Sequence, residues 1–375
     1  MQKTSNFFKI TLIYFISLSL FVGVRIIFQL GFLSNINEYL QDILSTGLIQ
    51  LVIMFLIPLL LYMLLFRKKP KQTFEDVGFK KISRKAVFIC ICIGLIAFIL
   101  NIVVSSIFNG LINSLGYESH SSGGSSNYST LSFFINVLCV AILPAICEEF
   151  LHRGILMRGL FNSVSVKHAL IISSICFGLM HLNIVQVFYA SILGLLIGFV
   201  GIVGKSIWPS IIIHFVNNFV NVYLSFAQNN GWVFGDFYET INNFISTNWF
   251  FALILIIITL IVLIGLLIKL IMDLLKITSY ESFKNVIYNL KNSLNKNVVN
   301  YSTKEEVNEI HYIEDIEPII IENIVEPKST ADLFFQDIYP KEKLQLKDKI
   351  FLIAGLFLGT FITLATFIWG ILWWQ

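Results

Sequence analysis

The sequence predicts an all-α, polytopic membrane protein: a helix bundle with about eight or nine transmembrane helices. Three observations carry that class. The 375 residues are 56% hydrophobic and only 13% charged, whereas soluble domains carry about a quarter charged residues. Mean hydropathy is +0.80. Apolar runs approaching the roughly 20 residues that cross a bilayer recur along the whole chain. The net charge of +3 is small, so its placement says more than its size, and no nucleic-acid partner is expected. Cys90, Cys92, Cys139, Cys147 and Cys176 all fall in apolar runs. They read as small buried hydrophobes, not as a disulfide framework or a zinc site. The first apolar run, Phe7 to Leu33, is too long for a signal-peptide core, and no cleavable signal is expected.

Taken in order, the candidate spans are 7–33, 42–66, 86–109, 132–157, 168–187, 189–204, 207–226, 249–272 and 350–374. The sixth is short, and Asn183 and Gln186 mark the expected turn before it. Lysine and arginine crowd the alternate connections: Arg67 to Lys85 between spans two and three, Arg153, Arg158 and Lys167 between four and five, Lys205 between six and seven. The opposite loops, 34–41, 110–131 and 227–248, contain neither residue. By the positive-inside rule the protein is expected in the cell membrane, multi-pass, with a cytoplasmic N-terminus and an external C-terminus. Loop 117–130, rich in serine and glycine, is expected to be external and flexible. The basic segment 67–85 is expected against anionic lipid heads. The run Gly194, Gly198, Gly201, Gly204 predicts close helix packing.

Five stretches follow. Residues 1–85 hold two helices and the basic loop, and 86–226 form the core. Residues 227–272 hold an external loop and the eighth helix. Residues 273–348 form a cytoplasmic insert, Lys/Asn-rich and then acidic, expected to be partly disordered. Residues 349–375 make the last helix.

Within this apolar chain the stretch Glu148-Glu149-Phe150-Leu151-His152-Arg153 is costly, and ionisable residues at bilayer depth mark function. Glu149 and Arg153 are spaced i,i+4 and should pair on one helix face. Glu148, turned about 100° away, is freer to act. Phe177 and His181 share a face in the fifth span, as His214 and Asn218 do in the seventh. At a rise of 1.5 Å per residue, Glu148 lies roughly 15 Å in from Arg158, His181 roughly 20 Å beyond His168 and His214 roughly 14 Å beyond Lys205. Three helices therefore carry polar groups to a similar level. A buried glutamate suits the role of a base that activates water, and histidine and asparagine suit oxyanion binding and proton transfer. A metal held by glutamate and histidine is the competing chemistry. His152 reads as an interfacial histidine at a helix end.

These residues resemble a known family. Glu148-Glu149-Phe-Leu-His-Arg153 is similar to the EExxxR motif of the CPBP family of intramembrane endopeptidases, which includes type II CAAX prenyl endopeptidases and Abi-like membrane proteins. Phe177-Gly-Leu-Met-His181 is similar to its FxxxH motif, and His214-Phe-Val-Asn-Asn218 to its HxxxN/D motif. The resemblance covers about 86–226. It implies an endopeptidase acting on membrane-associated or lipidated proteins. Glu148 would be the base, Glu149 and Arg153 its ordering neighbours, His181 a proton carrier, and His214 with Asn218 the oxyanion site. No cofactor is expected. Zinc, with Glu148, His181 and His214 as candidate ligands, is the alternative, and His-Glu-x-x-His is absent. A non-catalytic immunity or interaction protein is the competing class. A transporter is less favoured, since no inverted repeat is evident.

Overall fold

The computed structural model describes residues 5–32, 36–117, 127–302 and 343–372. Among these the chain is helical, without a strand. The helices are α1 (Asn6–Gln29), α2 (Tyr39–Phe66), α3 (Pro70–Asp76), α4 (Arg84–Ser114), α5 (Thr130–Leu160), α6 (Val166–Leu179), α7 (Ile184–Val203), α8 (Trp208–Asn230), α9 (Phe237–Thr247), α10 (Trp249–Ser302) and α11 (Leu346–Leu372). Eight of them are long and apolar enough to cross a membrane, which makes this an all-α multi-pass bundle. α6 packs on α7, α8 on α4, and α1 on α11.

The fifth expected span is shorter than 168–187. α6 ends at Leu179, after 14 residues. A tight turn follows, in which the His181 amide donates to the Gly178 carbonyl at 3.0 Å and Leu182 takes a left-handed φ of 56°. Asn183 then caps α7, its side chain accepting from the amides of Val185 and Gln186. The turn is built from Asn183 and one strained residue, with neither proline nor glycine, so the apolar pattern runs across it unbroken. The eighth span also departs from expectation. α10 continues to Ser302, so the first part of the 273–348 insert extends that helix. Leu274 is fully buried and Thr278 nearly so, and Thr278 Oγ1 donates to the Val203 carbonyl at 3.0 Å. That packing prolongs α10 beyond the apolar run. The acidic part, 303–342, and most of the Ser/Gly loop, 118–126, lie outside the described residues.

The lysine- and arginine-bearing connections gather at one end of the bundle. Lys9 Nζ donates to the Leu65 carbonyl at 3.1 Å, Ser5 Oγ to Asp348 at 2.8 Å, and Ser206 Oγ to the Lys80 carbonyl at 2.6 Å. Loops free of these cations meet at the other end, where the Asn127 amide donates to the Tyr39 hydroxyl at 2.9 Å and that of Asn230 to the Tyr128 carbonyl at 3.0 Å. The basic segment after α2 folds back under the bundle. Lys69, Lys71, Lys80, Lys81 and Lys85 stay exposed, but Thr73 and Val77 are buried. Phe74 and Phe79 join Phe55 and Phe150 in an aromatic cluster with ring separations of 4.6 to 6.4 Å. Gly78 makes the return. Its φ is +93°, and a Cβ there would stand 2.6 Å from the Arg158 guanidinium. Its carbonyl accepts from the Ile207 amide at 2.9 Å.

Four of the cysteines are buried, Cys92 is half-buried, and all five are free thiols, as expected of small apolar fillers. The glycine run on α7 does pack closely. A Cβ at Gly194 would stand 3.0 Å from Arg153 Nη2, one at Gly198 2.5 Å from Leu170, and one at Gly204 2.5 Å from Pro209. α2 and α5 are wound partly as π-helix, over Ile43–Leu48 and Gln50–Leu56 in the first and Val137–Ile142 and Phe150–Met157 in the second. Such i→i+5 turns are rare and often lie at functional sites. Here one begins at Gln50 and another directly after Glu149.

Candidate active site

Glu149 anchors the site. It is fully buried, and its Oε1 receives two donors: Arg153 Nη1 at 3.0 Å from its own helix and His214 Nδ1 at 2.8 Å from α8. A buried carboxylate needs such partners, because an ion taken out of water without them is costly. Arg153 is 1% exposed. Its Nη2 donates to the Gly194 carbonyl at 2.9 Å, and its guanidinium lies 4.4 Å from the centre of the Phe177 ring. The absent side chain of Gly194 lets that guanidinium reach the α7 backbone. The expected Glu149–Arg153 pair is therefore present, and it also binds α8 through His214.

Phe177 is the second organising residue. Its ring edge-packs against three imidazoles: His152 at 5.2 Å, His181 at 5.2 Å and His214 at 5.6 Å between centroids. The residues read as neighbours from separate helices are thus brought around one phenyl ring. His181 lies in the turn just beyond α6, where its Nδ1 faces the Phe177 carbonyl at 3.0 Å. A carbonyl only accepts, so Nδ1 carries the hydrogen and Nε2 is left open. The same reasoning gives His214 an Nδ1–H towards Glu149 and an open Nε2. Asn218, one turn along α8, donates to the Val140 carbonyl at 3.0 Å and accepts from Asn217 at 3.1 Å. One hydrogen of its amide remains.

Glu148 faces away from this anchor. It is half-buried, and its Oε1 accepts from Gln50 Nε2 of α2 at 2.7 Å. Glu148, His181 and Asn218 are the members of the set that keep partial exposure.

His152 corrects the sequence reading. It is fully buried, not interfacial. Its Nδ1 faces the Glu148 carbonyl at 2.8 Å, its ring packs on Tyr14 and Phe177, and its Nε2 has no partner. Tyr14 of α1 and Phe177 of α6 close over it and turn what looks like a helix end into interior. Gln50 was missed altogether. Its signal was available: it is the one polar residue between Leu48 and Leu61.

Among the described residues no three His, Cys, Asp or Glu side chains gather as a ligand set, the alternative trio Glu148, His181 and His214 included. The Glu149 oxygen nearest to an imidazole is already engaged by two donors.

Residues 130–220 match the family described as type II CAAX prenyl endopeptidase Rce1-like. That interval contains Glu148–Arg153, Phe177–His181 and His214–Asn218, and it is narrower than the 86–226 read from the motifs. No curated protein and no solved structure matches the chain. With the motif trio gathered around Phe177 and eight membrane-length helices around it, residues 130–220 of this multi-pass membrane protein are similar to the type II CAAX prenyl endopeptidase Rce1-like family, in agreement with the CPBP resemblance of the motifs.

Proposed function

We propose that the protein is an intramembrane endopeptidase that hydrolyses membrane-associated or lipidated proteins by glutamate-activated water. The observation that carries this reading is the division of labour between adjacent glutamates. Glu149 is fully buried, and its Oε1 is held by both Arg153 and His214. Glu148 is half-buried and keeps an oxygen for water.

Glu148 takes a proton from water as the water oxygen bonds to the scissile carbonyl carbon. The resulting oxyanion lies against the remaining Asn218 amide hydrogen and His214. His214 donates from Nε2 when both ring nitrogens carry hydrogen, with its Nδ1–H held by Glu149. Collapse breaks the C–N bond, and the proton taken by Glu148 passes to the leaving amine, directly or through His181 Nε2. No step needs a metal. The catalytic unit is the 86–226 core with α2 against it. The lysine-rich end faces the cytoplasm, as the positive-inside rule has it, which leaves the N-terminus inside and the C-terminus outside.

The test is cleavage in proteoliposomes of a farnesylated peptide with a CAAX terminus, beside unlipidated transmembrane peptides, with products read by mass spectrometry. New termini that vanish in Glu148→Gln support the reading. Products unchanged in that variant overturn it.

A further inference from the structure

Gln50 belongs to α2, outside the 130–220 match, and no motif includes it. It is 8% exposed in an otherwise apolar stretch of a membrane-length helix. An amide there is expensive unless both of its ends are used. One end is used: Nε2 donates to Glu148 Oε1 at 2.7 Å. The other is not, since Gln50 Oε1 is buried without a partner. That oxygen sits within one amide's width of the hydrogen bond to Glu148. An unpaired buried acceptor beside a carboxylate is where a donor belongs.

We propose that Gln50 is a positioning residue for the base. Its Nε2 pins one oxygen of Glu148, and its free Oε1 accepts a hydrogen from the water that Glu148 activates. The proposal rests on the peptidase reading above and deepens it. Water offers two hydrogens. One goes to the second oxygen of Glu148 and is transferred when the water oxygen attacks. The other stays on that oxygen and is held by Gln50, which aims the lone pair. α2 thereby becomes part of the catalytic apparatus, and its π-helical turns from Gln50 onward set where the amide points.

Three variants test this in proteoliposomes. Gln50→Met keeps the length and suits an apolar helix, so it should fold. Gln50→His restores a donor at a similar reach. Glu148→Gln reports on the base itself. Cleavage of the farnesylated CAAX peptide should show kcat down about 10- to 100-fold in Gln50→Met, the size expected for a hydrogen bond to a charged group, with KM within about twofold. Gln50→His should recover part of the rate, which a purely structural role would not produce.

Labelling by dicyclohexylcarbodiimide, followed by peptide mapping, adds a readout that needs no substrate. The reagent adds to carboxyl oxygens it can reach, and Gln50 Nε2 occupies one oxygen of Glu148. Labelling of Glu148 should therefore rise several-fold in Gln50→Met. If Gln50→Met keeps wild-type kcat, or labels Glu148 at the wild-type rate, the Gln50 proposal is overturned. If Glu148→Gln still cleaves, the base reading itself fails. If the wild-type protein cleaves neither probe, the labelling comparison decides the positioning claim alone.

Discussion

Glu149→Gln separates the two glutamates by their physics. The substitution keeps shape and an acceptor oxygen but removes the charge that Arg153 and His214 share. Glu149 is fully buried and Arg153 is 1% exposed, so Arg153 is left as an uncompensated interior cation. Breaking one side of such a pair costs about 3–5 kcal/mol. Three features favour the lower end. The amide oxygen still accepts from both donors, Nη2 keeps the Gly194 carbonyl at 2.9 Å, and the Phe177 ring lies 4.4 Å away. The expected loss is about 3 kcal/mol. At roughly 2 °C per kcal/mol for a large chain, that is a fall of about 6 °C in melting temperature. Replacing the cation as well, in Glu149→Gln with Arg153→Met, should recover about 2 kcal/mol, a coupling of the size seen between contacting residues. Activity should stay lost in both, because the carboxylate that holds His214 Nδ1 is gone. The assay is thermal unfolding in detergent beside the cleavage rate. A single variant that melts with the wild type, or a double variant less stable than the single, refutes the reasoning.

The other expectations are simpler. Glu148→Gln should lower the cleavage rate about 10²–10⁴-fold, the usual worth of a general base, with an unchanged melting temperature. Gly178→Ala should cost about 1–3 kcal/mol, because its Cβ would meet the Val187 carbonyl oxygen at 2.5 Å. Gly23→Ala, with nothing within 4 Å, should gain about 0.5–1 kcal/mol as a helical alanine; calorimetry in detergent compares the two. In a cysteine-free background, Val233→Cys should react with an impermeant maleimide from outside intact cells and Lys71→Cys should not; the opposite pattern would invert the topology. Elemental analysis of purified protein should find zinc well below one per chain. One zinc per chain that is lost on His214→Ala would replace the water mechanism with a metal one.

The sequence made the bundle and most of its centre legible, because helix period and hydropathy act locally. Glu149 and Arg153 pair as their spacing requires, and His214 reaches the same carboxylate from α8. What stayed hidden depends on contacts between distant parts of the chain. His152 was misread because nothing local says that Tyr14 of α1 and Phe177 of α6 close over it. Gln50 was missed because one amide in an apolar run has no period to betray it. The end of α6 was misplaced because its turn uses Leu182 and Asn183 rather than a stronger breaker. The Lys/Arg asymmetry was readable, and those connections do gather at one end of the bundle.

The π-helical winding of α5 bears on how this site tolerates changes in length. An i→i+5 turn holds one more residue than an α turn, so Val137–Ile142 and Phe150–Met157 each carry surplus chain relative to a regular helix. Deleting a single residue such as Leu151 lets the second stretch relax into ordinary α geometry at little backbone cost. Because the deletion removes the surplus, the helix beyond it keeps nearly its present face, and Arg153 stays one turn from Glu149 as an i,i+3 neighbour. A one-residue deletion inside this π stretch should therefore be tolerated, whereas the same deletion in α8, a regular helix, has no surplus to draw on and would turn everything beyond it by about 100°.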